Sequence, residues 1–592
     1  MKKALGTFSL LIVIYSLFTL ATCYSGGENA TITIALGVDS AKATVGIEEL
    51  RHEISFTGPT GTQRQTVNGR GTARATVVAG LWTIEVAAYY GDDLYAVGGT
   101  SAEVKAGRNT DVSIQMTVVW TDGAGVINPA ISYDKIVGSW AELKDYIGGL
   151  QRGDTTTIQI RGNIVANDSI QIYTQRTVTL VAPIYTTVII SRGSSFADET
   201  FNVQGTLNLG HGSYPDNSRI ILDGAMPSGT ASAPLITIND GTLNMNEGVT
   251  LQNNENSTVS VGIQGGAVGM DGMGTTSGIF NMKGGTIKNN KAQRGGGVFI
   301  FGVNLGDGFF MSGGTISGNK ADTYGGGVLV NSGTFGMSGG TISDNKADTY
   351  GGGVYTVSAP FEMSGGVISG NKADFSGGGV FSNSNTMYIK GNAKIYNNTI
   401  EYHGDGGGIY IENSSLSISG NAEITNNTAK TTLPSSQANG GGVFFLGGSD
   451  TFELSGNAKI NNNIATAVSG SIASGGGVHI SSGTFKMEGG EIKGNTAQGG
   501  TDLGPPIESL GGGVYVSGTF TKTSGVIDGY DSGNDPGKNK VVNIDTPLGT
   551  DPGHAVFGYF GITPYGKNTD SPNGNVLESA VRPPTPGNGW DF

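Results

Sequence analysis

A run of three glycines followed by Val or Ile starts at Gly295, Gly325, Gly351, Gly377, Gly406, Gly440, Gly475 and Gly511, at intervals of 30, 26, 26, 29, 34, 35 and 36 residues. Units this short cannot each bury a core of their own, so the copies must stack and bury their apolar residues against one another. A second signal keeps step with the first. Leu251 is followed three residues on by Asn254, and Ile287, Ile316, Ile342, Ile368, Ile395, Ile424, Ile460 and Ile492 are followed in the same way by Asn290, Asn319, Asn345, Asn371, Asn398, Asn427, Asn463 and Asn495. Two neighbouring copies, MSGGTISGNKADTYGGGV from Met311 and MSGGTISDNKADTYGGGV from Met337, are nearly identical.

One 26-residue copy reads as three short extended pieces with no helical period: Val354-Tyr355 after the triplet, Phe361-Glu362-Met363, and Val367-Ile368 before Asn371. Three strands per coil with small residues at the corners predict an all-β fold, a right-handed parallel β-helix whose coils pair at about 4.8 Å. Asparagines at one corner of successive coils would bond the coils above and below, which makes Asn254, Asn290, Asn319, Asn345, Asn371, Asn398, Asn427, Asn463 and Asn495 a structural ladder. Glycine fits where the chain turns with positive φ or where coils approach closely.

The triplets and the Ile-x-x-Asn signal, GGGV or GGGI with I-x-x-N, resemble the GGA(I,L,V) and FxxN repeats of the chlamydial polymorphic outer-membrane proteins and related repeat proteins of pectin-lyase-like fold. The resemblance spans roughly residues 240 to 530 and implies a surface-displayed adhesin or antigen. It departs in one respect. Those proteins end in a transmembrane β-barrel of several hundred residues, whereas here about sixty residues follow the last repeat, which ends near residue 530.

The rest of the chain is organised around this array. MKKALGTFSLLIVIYSLFTLATC reads as an export signal over 1–22, with Cys23, the only cysteine, as a lipid-bearing residue of a tether over 23–30. Leu20-Ala21-Thr22-Cys23 resembles a bacterial lipobox. A lipid there would make the membrane a partner and place the protein on the outer membrane or cell surface. Alternating short runs over 31–118 predict a small β-sandwich spacer, followed by a linker over 119–135. Ser139-Trp140-Ala141-Glu142 opens an amphipathic helix over 139–150, with Trp140, Leu143, Ile147 and Leu150 on one face, placed to cover the first coil of a β-helix over 136–530. Residues 531–592 are then a C-terminal cap and tail.

Alternation places one residue per coil on the outer face, two positions after each triplet: Phe299, Leu329, Tyr355, Phe381, Tyr410, Phe444, His479 and Tyr515. Stacked, they would form an exposed strip of about 34 Å, seven steps of ~4.8 Å. Such strips mark interaction surfaces. The spacing from ladder Asn to next triplet widens from five or six residues to 8 after Asn398, 13 after Asn427, 12 after Asn463 and 16 after Asn495. These insertions share one corner, near the strip, and insertions on one face of a repeat protein commonly form its binding face.

Chemistry by other routes has little to stand on. A net charge of −14 offers no basic footprint for nucleic acid. His52, His211, His403, His479 and His554 show no metal-ligand spacing, and no cofactor motif is present. Gly210-His211-Gly212 matches one short polygalacturonase motif, but that family's paired aspartates and basic motif are missing, and Asp92-Asp93 falls in the spacer. Asp223, Glu401 with His403 and Asp405, and Asp531 with Asp535 are the carboxylates a polysaccharide lyase or hydrolase could use. The sequence therefore predicts a non-catalytic, adhesin-like surface lipoprotein that recognises a host or matrix protein or glycan along the β-helix. A polysaccharide-degrading enzyme and a passive coat or antigen are the alternatives.

Overall fold

The computed structural model describes residues 29–36, 50–68, 71–90, 93–112, 117–118, 133–183, 186–210, 218–224, 233–256, 264–272, 277–302, 306–469, 471–500, 510–528, 539–543, 556–560, 563–567 and 577–579. The export signal, Cys23, the linker, His211, His554, Asp531 and Asp535 lie outside them, apart from the linker's last residues, 133–135. The chain forms two compact units: residues up to 166 with 176–191 and 208–221, and residues 167–175, 192–207 and 222 onward.

In the first unit Asn29–Leu36 runs antiparallel to Gly71–Val78 and parallel to Asn109–Asp111. A second sheet orders Gly61–Asn68, Leu50–Gly58, Gly80–Tyr90, Asp93–Val104 and Thr117–Val118 side by side. Ile32, Ile34, Ala73 and Val77 of one sheet share a core with Ile54, Phe56, Trp82 and Ile84 of the other. Trp82 is fully buried, and its Nε1 finds a partner by donating to the Val78 carbonyl at 3.0 Å. The helix Trp140–Gly149 starts as its sequence requires. Ser139 accepts from the Glu142 amide at 3.3 Å, and the Glu142 carboxylate accepts from the Gly138 amide at 2.8 Å. It buries Trp140, Leu143 and Ile147.

The second unit is built of stacked coils. Val354–Val357, Phe361–Met363 and Val367–Ser369 pair in parallel with Val380–Asn383, Thr386–Ile389 and Lys394–Tyr396 of the next coil. Lys372–Ala373 is a fourth, shorter strand; its equivalents make a separate ten-stranded parallel sheet from Glu255–Asn256 to Lys540–Asn543. The chain is thus a parallel β-helix, with a corner strand that the three-piece reading did not separate. Parallel pairing continues past residue 530 to Val556–Phe560, where Thr563–Lys567 and Leu577–Ser579 add in antiparallel order. An antiparallel hairpin covers the edge a further parallel coil would have used. Inside, Phe280, Phe309, Phe335 and Phe361 stack at centroid distances of 4.7, 5.1 and 4.6 Å.

The asparagine ladder runs through the interior. From Asn319 onward each Oδ1 accepts both the amide and the Nδ2 of the preceding Asn: for Asn371 the donors are Asn345 N and Nδ2, both at 3.0 Å. Each Nδ2 also donates to a carbonyl of the preceding coil, as Asn371 does to Ile342 at 2.9 Å. The residue before each ladder Asn has positive φ, from Asn289 at 54° through Asp344 at 57° to Gly370 at 67°. Only Gly, Asn and Asp tolerate that conformation readily, which is why the signal reads Asn-Asn, Asp-Asn or Gly-Asn. Asn539 is a tenth member, accepting from Asn495 N and Nδ2 at 2.9 Å. At the other end no Asn precedes Asn254, and buried Arg192 supplies the donor instead, its Nη1 lying 2.7 Å from Asn254 Oδ1.

The three glycines of a triplet answer three separate demands. Gly351 has φ of 67°. A Cβ on Gly352 would strike the carbonyl of Gly378 in the next coil, and one on Gly353 would stand 2.9 Å from Asn371 Nδ2. The upstream run Gly265-Gly266-Ala267-Val268 holds the same place, since Val268 pairs with Val298 and Gly265 has φ of 100°.

Candidate functional site

Strand register puts Phe299, Leu329, Tyr355, Phe381, Tyr410, Phe444, His479 and Tyr515 in one column, one per coil. From Tyr355 to Tyr515 the rings stack at 5.0, 4.7, 5.0, 4.9 and 4.6 Å. The column is not the open strip its outward position implies. Phe299, Leu329, Phe381, Phe444 and His479 are 3 to 7% exposed, and Tyr355, Tyr410 and Tyr515 are half-buried. Burial pushes the Tyr355 hydroxyl up to about 12 and raises that of Tyr410 as well.

The cover comes from the residue just before each triplet. Arg294, Tyr324, Tyr350, Ser376, Asp405, Asn439, Ser474 and Leu510 form a second column in continuous parallel register. It lies over the first. Tyr324 stacks on Tyr355 and Tyr350 on Phe381, each at 5.0 Å, while Ser474 Oγ lies 2.9 Å from His479 Nδ1. His479, enclosed between Phe444 and Tyr515, is held neutral, its pKa lowered by burial to about 3. Ser474 Oγ donates to Asn439 Oδ1 at 2.5 Å, and Asn439 Nδ2 donates to Asp405 Oδ1 at 2.8 Å, so the polar half of the column is bonded coil to coil.

The aromatic half is half-buried at Tyr324 and Tyr350 and opens to water beside them. Tyr324 and Tyr350 stack at 5.6 Å, Phe375 meets Tyr350 edge-on at 6.3 Å, His403 lies 6.5 Å from Phe375, and the Arg294 guanidinium stands 5.9 Å from the Tyr324 ring. Phe375 is 40% exposed and Tyr402 51%. The insertion after Asn427 adds Leu433, 45% exposed, next to Thr432, whose amide donates to the Tyr402 carbonyl. Five coils therefore present Tyr324, Tyr350, Phe375, Tyr402 and Leu433 along one corner, an apolar and aromatic surface of the kind proteins use for recognition. The described parts of the insertions are built structure: Thr428–Thr431, Ile464–Ser469 and Thr496–Gly500 pair in parallel, as do Gln437–Asn439 and Ile472–Ser474. Tyr324 and Tyr350 directly precede their triplets, but the residue at that place is Ser376, Asp405 and Asn439 in the next three coils, so the sequence carries no periodic aromatic signal for the row.

The acidic candidates occupy separate environments. Asp223 accepts from Gln252 Nε2 at 2.7 Å. Glu401 bridges Lys372 at 3.1 Å and Lys346 at 3.2 Å, and these cations hold its carboxyl below the usual range. Asp405 is tied to Asn439, and burial pushes it up to about 6 despite His403 nearby. His52 is buried in the first unit, which lowers its pKa. Among the described residues no three His, Cys, Asp or Glu side chains are grouped to hold a metal ion, and no helix is long and apolar enough to cross a membrane. No protein-family model, curated protein or solved structure matches the chain.

Proposed function

We propose that this is a non-catalytic recognition protein of a bacterial surface, anchored through a lipid on Cys23, whose β-helix displays the corner row Tyr324, Tyr350, Phe375, Tyr402 and Leu433 to a host or matrix macromolecule. The observation that carries the reading is the coincidence of this row, exposed at Phe375, Tyr402 and Leu433, with the strand-paired parts of the insertions on one corner of successive coils. Rings that stack on one another and on the buried column beneath, as Tyr324 does on Tyr355 and Tyr350 on Phe381, are fixed in advance, so binding costs little ordering of the site. The resemblance to the polymorphic outer-membrane repeats, in GGGV or GGGI with I-x-x-N, points to the same class of surface adhesin.

The test is array binding of the full chain against matrix proteins and glycans, beside a variant with Tyr324, Tyr350, Phe375 and Tyr402 changed to Ser. Binding by the parent that disappears in a variant of unchanged circular dichroism supports the reading. Binding that the variant retains refutes the assignment to this corner. Labelling of the parent, but not of Cys23→Ser, by a fatty-acid probe in an expressing cell is the result expected for the anchor.

A further inference from the structure

A different face of the β-helix carries a second site. The solvent-facing residues of the strand after the first bend fall in register as Asn281, Phe310, Gly336, Glu362 and Tyr388. Gly336 alone has no side chain, and a groove of about 370 Å³ opens over it. The Phe310 ring lies along the sheet instead of standing from it. A Cβ on Gly308 would come 3.0 Å from its Cε2 and Cζ, and one on Gly336 would come 3.0 Å from its Cδ1. Two glycines thus let one phenylalanine lie flat, and the residue remains 39% exposed.

Polar groups line one side of this ring. Ser312, Ser338 and Ser364 each follow the buried Met of their coil, Met311, Met337 and Met363, so three hydroxyls recur at the coil spacing, about 4.8 Å. Lys283 occupies the equivalent place one coil earlier and has no ion-pair partner among the described residues. The carboxylate on the far side is neutralised, with Glu362 Oε1 2.9 Å from Lys390 Nζ. A flat exposed aromatic face, a row of hydroxyls and a donor cation suit a ligand with apolar C–H faces and many hydroxyls. They do not suit a peptide strand, because the strands flooring the groove are already paired on both sides. The geometry points to a saccharide-binding platform: a pyranose stacks on Phe310 over Gly336, and its neighbours in the chain hydrogen-bond along Ser312, Ser338 and Ser364. This site is separate from the corner row and does not rest on it.

The experiment is saturation-transfer NMR and calorimetry of the full chain with hexasaccharides of glucose, N-acetylglucosamine, mannose and galactose as probes. Two variants accompany it. Phe310→Ala removes the platform. Gly336→Leu fills the groove and, with its Cβ 3.0 Å from Phe310 Cδ1, pushes that ring off the sheet; the ring is a partly exposed side chain that can swing outward and Gly336 has no positive φ, so the fold accommodates the change while the platform is lost. The expected result is saturable binding of at least one probe, weakened at least tenfold in each variant with thermal midpoints unchanged. Absence of binding to all four probes overturns the proposal, as does binding that survives in either variant.

Discussion

Replacing Asn345 by Ala in the middle of the ladder removes four hydrogen bonds at once. Its Nδ2 donates to Ile316 O at 2.9 Å and Asn371 Oδ1 at 3.0 Å, and its Oδ1 accepts Asn319 N at 2.9 Å and Asn319 Nδ2 at 3.0 Å. Two of the partners retain other bonds, since Asn319 Nδ2 still reaches Ile287 O and Asn371 Oδ1 still accepts Asn345 N. The Asn319 amide and the Ile316 carbonyl lose the bonds that the side chain gave them, in an interior where Asn319 is 1% exposed and Ile316 fully buried. At about 1–3 kcal/mol for each buried polar group left unsatisfied, the substitution should cost about 2–6 kcal/mol. The same chemistry recurs on the surface as a control: Asn421 Nδ2 donates to Asn392 Oδ1, and Asn421 Oδ1 accepts from Asn457 Nδ2, both at 3.3 Å and both exposed. Water replaces those bonds, so Asn421→Ala should cost about 0.5 kcal/mol or less. Urea unfolding followed by circular dichroism measures both, read as a midpoint shift at constant slope. Equal costs for Asn345→Ala and Asn421→Ala would refute the view that the ladder holds the coils together.

Asp405, pushed from its ordinary 3.8 up to about 6, binds a proton more readily in the folded than in the unfolded chain. Its contribution should therefore be most favourable below about pH 4 and lost as pH rises to about 6, with a penalty at neutral pH of at most ~3 kcal/mol, less for the part of its surface that meets water. Asp405→Asn should flatten that pH dependence between 4 and 7, and an unchanged thermal-midpoint profile would contradict the burial argument. Gly352→Ala places a Cβ against backbone of the next coil and should cost about 3 kcal/mol or prevent folding. Gly148→Ala, with nothing near its Cβ inside a helix, should instead stabilise by about 0.5–1 kcal/mol, read from thermal unfolding. Arg192→Met should leave the start of the ladder without its donor to Asn254 Oδ1 and speed hydrogen exchange at Asn254 and the strand Val249–Gln252 that leads to it, relative to distant coils.

Much of the fold was legible because stacking writes the same constraint once per coil. Asn at each ladder position, Gly, Asn or Asp before it, and three glycines with three different duties repeat regardless of what the loops do. Features that depend on a single coil were not legible in that way. Gly336 looks like any other glycine until register sets it between Phe310 and Glu362. Asn539 escaped because no triplet accompanies it, and Gly265-Gly266-Ala267 because Ala replaces the third glycine. The column two residues after each triplet was correctly placed in register, but alternation along a strand says only which side a residue faces. It does not say whether Tyr324 and Tyr350, thirty-one residues away from the rings they cover, will fold over that side.

The accessible aromatic surface is the outer row at Phe375 and Tyr402, not the column beneath it. Hydroxyl-radical footprinting of the free protein tests this directly, because labelling follows solvent contact at each ring. Phe375 and Tyr402 should label rapidly, and Phe381 and Phe444, 5% and 6% exposed, slowly. If Phe381 and Phe444 label as fast as Phe375 and Tyr402, the cover is open in solution, and the recognition surface is the inner column that strand alternation alone would have chosen.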